Sequence, residues 1–195
     1  MSHHKDRLMR ALIHFPIIHS PQDLGSLSDF ATDARSENQN MKYYEAVEQF
    51  WSMIETTLDS FNLNYQQLKL YQDGLPVCDS VDQIVENVAS CGSQNFQLLQ
   101  KLQAKGATLV GTESVSLLLE ERQLMGDLLK AKAEKQASLE KAQALLDKRD
   151  SFIAARINET LLDDEMAVLF LGMTHNIEAK LDEDILLIQP LGKPI

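Results

Sequence analysis

The six residues Met166-Ala-Val-Leu-Phe-Leu171 carry no polar side chain, and they are bounded by Asp163-Asp164-Glu165 before and Gly172 after. A run this short and this apolar reads as a strand covered on both faces, the kind found in parallel sheets. A chain holding such a strand must supply helices to both faces of its sheet. Four further segments have strand character. Leu8 to Ile18 ends in Ile17-Ile18-His19-Ser20-Pro21, Leu68-Lys-Leu-Tyr-Gln-Asp73 leads into a turn at Gly74, Ala107 to Gly111 precedes Thr112-Glu113, and Ile185 to Ile188 lies near the tail.

Helical patterns fill the intervals. Tyr44, Val47, Trp51, Ile54 and Leu58 recur at spacings of three and four and predict a helix over 41–61, with the stripe as core packing. A short helix is expected over 79–90. Another starts after Ser93, a good N-cap, and ends at Gly106, a good C-cap. Residues 114–129 and roughly 134–162 read as two long helices, with Leu139, Ala142, Leu146, Ile153, Ile157 and Leu161 as the buried stripe of the second. A helical hairpin and one bent rod both fit them. Strands alternating with helices mean an α/β fold, a mainly parallel sheet of about five strands with helices on both faces plus a long helical excursion over 114–162. One domain over 1–195 is expected, with 1–7 as a frayed terminus that includes His3 and His4. The segment between strand one and about Asn40 is a loop of Ser, Asp, Gln and Asn, longer than a plain connection needs.

Composition narrows the function classes. Hydrophobic residues at 44% are enough for a core without staples, and the net charge of −11 repels a phosphate backbone, so nucleic acid is not an expected partner. Lys130, Lys132 and Lys135 are interleaved with Glu134 and read as a solvated helix face. Cys78 and Cys91 are the two cysteines and have no CxxC spacing, which points to free thiols in a reducing compartment. Leu8–Ile18 is too short for a membrane span and is broken by Arg10, His14 and Pro16, so the expectation is a cytoplasmic protein with no membrane partner.

In a parallel sheet the ligand site lies beyond the carboxyl ends of the strands. Those ends carry His19, Asp73, Glu113 and the Gly172-Met173-Thr174-His175 segment. Arg149-Asp150 lies mid-helix on or beside the apolar stripe, where a charged pair is unusual unless it is engaged in a site. From the turn at 163 back to Arg149 the helix climbs roughly 21 Å, and from Met166 to Gly172 the strand climbs roughly 20 Å. Arg149 is therefore expected level with His175. Two imidazoles with one or two carboxylates suit a divalent metal ion, for which His19, His175 and Glu113 are the candidate ligands. Alternatively one histidine is a general base oriented by Asp150, Asp73 or Glu113, with Arg149 holding an anionic substrate or an oxyanion. The bland reading has His19 and His175 capping strand ends and Arg149–Asp150 as a surface pair.

Arg149-Asp150-Ser-Phe-Ile-Ala154 followed by a strand ending Gly172-Met-Thr-His175 resembles the TraB/TIKI-like group. That group is part of a broader set with ChaN-like iron-regulated proteins and erythromycin-esterase-like enzymes. The resemblance is carried by residues 146–176. It implies roles for His175 through the Gly-x-x-His pattern and for Arg149 through the Arg-Asp helix. At the early histidine, His19, Pro16 stands where the group has glycine. Asp73 matches the acidic position, where the group more often has Glu. Members include metal-dependent peptidases, esterases and haem binders.

The expected function is a hydrolase-like or metal-dependent enzyme acting on a small-molecule or peptide-like ligand, with His175, Arg149, Asp150 and Asp73 as catalytic candidates. The alternatives are a non-catalytic binder of iron, haem or a small anion, with His175, Met173 and Tyr71 as ligands, and a homodimer paired through the long helices.

Overall fold

The computed structural model describes residues 9–18, 23, 37–130 and 135–192, apart from the side chains of 37–42, 128–130 and 135–138. Five strands, β1 (Arg10–Ile17), β2 (Leu68–Gln72), β3 (Thr108–Val110), β4 (Met166–Gly172) and β5 (Ile185–Ile188), form one sheet in the order β3-β2-β4-β1-β5. Every neighbouring pair is parallel. The helices are α1 (Glu37–Ser60), α2 (Val81–Ser90), α3 (Gln94–Ala104), α4 (Val115–Lys130) and α5 (Lys135–Thr160). The fold is thus the expected α/β class, with helices on both faces.

Side-chain alternation along the strands builds two cores. Ile13, Phe15 and Ile17 of β1, Leu68 and Leu70 of β2, and Val168 and Phe170 of β4 meet α1, α2 and α3. Leu12, Tyr71, Ala167, Leu169 and Leu171 point the other way and meet Ile153, Ala154, Ile157 and Leu161 of α5. The chain steps toward β3 by helices on the first face and back toward β5 on the second, as a constant crossover hand requires. β4 is paired on both sides and covered on both faces, which explains its unbroken apolar sequence.

The helical stripes differ from expectation at their ends. In α1, Trp51, Ile54 and Leu58 are buried but Tyr44 is exposed. In α5 the buried stretch starts at Leu145, while Leu146 is half-buried and Leu139 is exposed. The cause is length. A helix of 26 residues spans about 39 Å, whereas a seven-residue strand spans about 23 Å, so only part of α5 can lie on the sheet. The remainder pairs with α4. Glu120 meets Lys148 and Glu121 meets Arg149, each well back from the 131–134 connection on its own helix, so the two helices form an antiparallel hairpin. Val115, Leu119 and Met125 remain exposed on α4. Cys78 and Cys91 are free and exposed. Among the described residues no helix is long and apolar enough to cross a membrane. His3, His4, His19, Lys132 and most of the 19–36 segment lie outside the described residues, as do the side chains of Lys130 and Lys135.

Phe170 is fully buried, its ring 5.9 Å from Phe15 and 6.1 Å from Trp51. Phe170→Ala is expected to lower unfolding stability by about 3–5 kcal/mol. Leu119→Ala on the open face of α4 should change it by no more than about 0.5 kcal/mol. Urea denaturation of both variants checks the contrast.

Candidate active site at the carboxyl ends of the strands

The segments that follow β2 and β3 are fastened together, and this fixes two carboxylates. The Leu75 carbonyl accepts hydrogen bonds from the N–H groups of both Thr112 and Glu113, each at 2.9 Å, and Val77 N–H donates to the Glu113 carbonyl at 2.8 Å. A Cβ on Gly111 would stand 2.7 Å from the Pro76 carbonyl oxygen, so glycine is what lets the two backbones come this close. The Thr112 hydroxyl accepts from Gln72 N–H at 2.9 Å and donates to the Val110 carbonyl at 3.0 Å. Gly74 turns at φ +74° and donates its N–H to Glu113 Oε1 at 2.8 Å.

Asp73 ties β2 to β4. Its N–H donates to the Phe170 carbonyl at 2.8 Å, and its Oδ2 accepts from Gly172 N–H at 2.8 Å. Beyond Gly172 the chain turns, with His175 N–H on the Gly172 carbonyl at 3.1 Å. That turn leaves Met173 exposed and folds the His175 side chain inward, where only 3% of it is exposed.

Arg149 and Asp150 reach this group from α5, as the matched climb of helix and strand requires. Arg149 Nε donates to Glu113 Oε2 at 2.7 Å, and its Nη2 donates to Glu113 Oε1 at 2.5 Å and to Asp73 Oδ1 at 2.8 Å. Arg149 Nη1 donates to Glu121 Oε1 on α4 at 2.5 Å. Asp150 Oδ1 lies 2.5 Å from His175 Nδ1, and Asp150 Oδ2 accepts from Asn176 N–H at 2.9 Å. His175 Nε2 stands 3.5 Å from Asp73 Oδ2. One ligand atom from each of Asp73, Glu113 and His175 can be chosen so that all three lie within 4.8 Å of one another.

The charges shape each other. Burial pushes the Glu113 carboxyl up, the Arg149 bond pulls it down, the Asp73 charge pushes it up again, and the net direction is upward. For His175, burial pulls the pKa down, but the Asp150 hydrogen bond and the Asp73 charge outweigh it and raise it above 6.5. For Arg149, burial works against the charge, yet Glu113, Asp73 and Glu121 hold the guanidinium firmly protonated. Three buried carboxylates, Asp73, Glu113 and Asp150, surround the Arg149 guanidinium and the His175 ring, with Glu121 at the rim.

Of the candidate residues, Asp73, Glu113, Arg149, Asp150 and His175 come together. Arg149–Asp150 is not a surface pair, since both side chains are buried. Four of the five Arg149 N–H donors meet carboxylates in this arrangement. Tyr71 is not part of the group. Its hydroxyl meets Thr160, eleven residues along α5 from Arg149, and burial pushes its pKa up to about 12.

Sequence reasoning missed Glu121, although Leu117, Glu121 and Leu124 share one half-buried stripe of α4 and a carboxylate in such a stripe is a signal. It also missed His14. This side chain sits on the α5 face of β1 and, with Pro16, Gly172, Met173, His175 and Gln189, lines a cavity of about 40 Å³. Gln189 Nε2 lies 3.2 Å from His14 Nδ1. Comparison with family models, with curated proteins and with solved structures finds no match for this chain.

With a chelator present, the raised His175 and Glu113 pKa values make stability fall as pH rises. Each contribution is complete below the ordinary value, 6.5 or 4.5, and is lost as pH passes the raised one. Asp150→Asn removes the largest of the contributions that raise the His175 pKa against its burial. NMR titration should find the His175 pKa above 6.5 in the wild type and lower in the variant. The stability difference between the two proteins should be largest in acid and shrink as pH rises. A difference that grows toward alkaline pH would contradict this assignment.

Proposed function

We propose that the protein is a hydrolase-like enzyme whose centre at the strand ends takes a divalent metal ion on Asp73, Glu113 and His175. The observation that carries this reading is the convergence of those three donors, with Asp150 on the far nitrogen of the His175 ring. A metal-binding histidine commonly gives its other ring N–H to a carboxylate, which fixes the tautomer and makes the free nitrogen a better ligand. Asp150 is placed to do this, and its other oxygen is anchored on Asn176 N–H. One imidazole and two carboxylates suit manganese, iron(II) or zinc. When bound, such an ion lowers the pKa of a coordinated water and polarises a carbonyl or phosphoryl oxygen.

The protein's own groups contribute binding and orientation. Gly172 N–H and Gly74 N–H hold Asp73 and Glu113 in place, and Asp150 sets the imidazole. The small cavity beside His175, walled by His14 and Gln189, has room for about one water molecule next to the imidazole; the expected ligand is a small molecule or peptide-like. The resemblance of residues 146–176 to the TraB/TIKI-like group, which includes metal-dependent peptidases and esterases, supports the same class of reaction.

Chelator-stripped protein is expected to take up about one equivalent of manganese, iron(II) or zinc, read by elemental analysis after gel filtration. His175→Ala and Glu113→Gln should abolish this uptake, and Asp150→Asn should weaken it by about 10–100-fold. Cleavage of activated esters or of a mixed peptide pool should rise with occupancy and be absent in His175→Ala. Uptake that is equal in wild type and His175→Ala would sink the proposal.

A further inference from the structure

We propose that Arg149 is a resident counter-cation, which fills the position between Asp73 and Glu113 until a metal ion displaces it toward Glu121. Glu121 is then a positioning residue of the site. The proposal rests on the metal reading above and adds how loading of that centre is controlled.

The guanidinium bonds to Asp73 Oδ1 and to both oxygens of Glu113, so it occupies two of the three side chains that would ligate the ion. A dication placed among these oxygens would stand within a few ångströms of the guanidinium. Like charges that close in a buried site repel strongly, and a double charge doubles the effect. Arg149 and the ion therefore exclude one another from Glu113.

A displaced arginine still needs a carboxylate, because an unpaired buried charge is strongly unfavourable. Among the described residues, Glu121 is the one partner of Arg149 outside the ligand group. It already holds Nη1 at 2.5 Å, and its side chain is 30% exposed. α4 is suited to follow such a shift, since every described side chain from Val115 to Asp127 is half-buried or exposed. Each end of the exchange keeps a counter-charge. Without metal, Arg149 neutralises Glu113 and Asp73; with metal, the ion does so and Glu121 retains Arg149.

Calorimetric titration of the chelator-stripped full chain with zinc is the test. Sites lost in His175→Ala define binding at this centre, separate from any zinc held elsewhere. Arg149→Met is expected to bind zinc at that centre at least about tenfold more tightly than the wild type. Glu121→Gln should bind it more weakly, and Glu121→Asp should restore the wild-type value. In wild-type protein carrying 15N-arginine, the Arg149 Nε–H resonance, assigned by its loss in Arg149→Lys, should move in step with zinc bound. This readout decides the matter even if Arg149→Met does not fold. His175-dependent zinc binding that Arg149→Met leaves equal or weaker, with an unmoved Arg149 resonance, overturns the exchange and leaves the metal reading standing. Absence of His175-dependent binding in both wild type and Arg149→Met removes both.

Discussion

The carboxyl edge of this sheet depends on one buried guanidinium. Arg149 sits on α5, and its four bonds reach the end of β2 through Asp73, the end of β3 through Glu113, and α4 through Glu121. These carboxylates come from three separate stretches of chain, and without a shared cation they would repel one another at close range in a site poor in water. Removing one partner of such a network is strongly destabilising, roughly 3–5 kcal/mol, because charge is left buried and unpaired. His175 inherits the arrangement. Asp73 is shared between Arg149 on one oxygen and the Gly172 N–H and His175 on the other, so the imidazole position follows from where Arg149 holds Asp73.

The backbone prepares the edge before any side chain arrives. The segments after β2 and β3 continue as a parallel pair past the ends of their strands, from Leu75–Thr112 to Pro76–Glu113. Gly111 allows the close approach and Gly74 the turn. Asp73 and Glu113 are therefore carried on rigid chain.

Much of this was legible in the sequence because the relevant signals are local. The apolar run at 166–171 implies cover on both faces, and Ser93 and Gly106 bracket a helix through capping chemistry. The height of Arg149 follows from two rises per residue. The phase of α5 was read less well. Leu139 belongs to an apolar pattern, but a pattern cannot say where the sheet under a helix ends. Glu121 and His14 escaped for the same reason. Each sits among apolar neighbours, and only the partner, Arg149 for one and the His175 cavity for the other, separates a site residue from a solvated or packed one. The order of strands is likewise a property of the crossovers and not of any one segment.

A second buried arginine shows what a purely structural ion cluster looks like in this fold. Arg10, at the opposite edge, donates all five of its N–H groups. They go to Asp184, to Asp182 and to the carbonyls of Asn158 and Leu161, so it pins the start of β1 to the end of α5 and to the segment before β5. Its carboxylate Asp182 is open to water, which absorbs the surplus charge. At the Arg149 edge Asp73, Glu113 and Asp150 are buried, and His175 is held between Asp73 and Asp150. Replacing such a cluster by well-packed apolar residues is often neutral or stabilising, so stability alone does not account for placing it in the apolar stripe of α5. Arg10 closes a structure. The Arg149 group gathers Asp73, Glu113, Asp150 and His175 beside a cavity lined by His14 and Gln189.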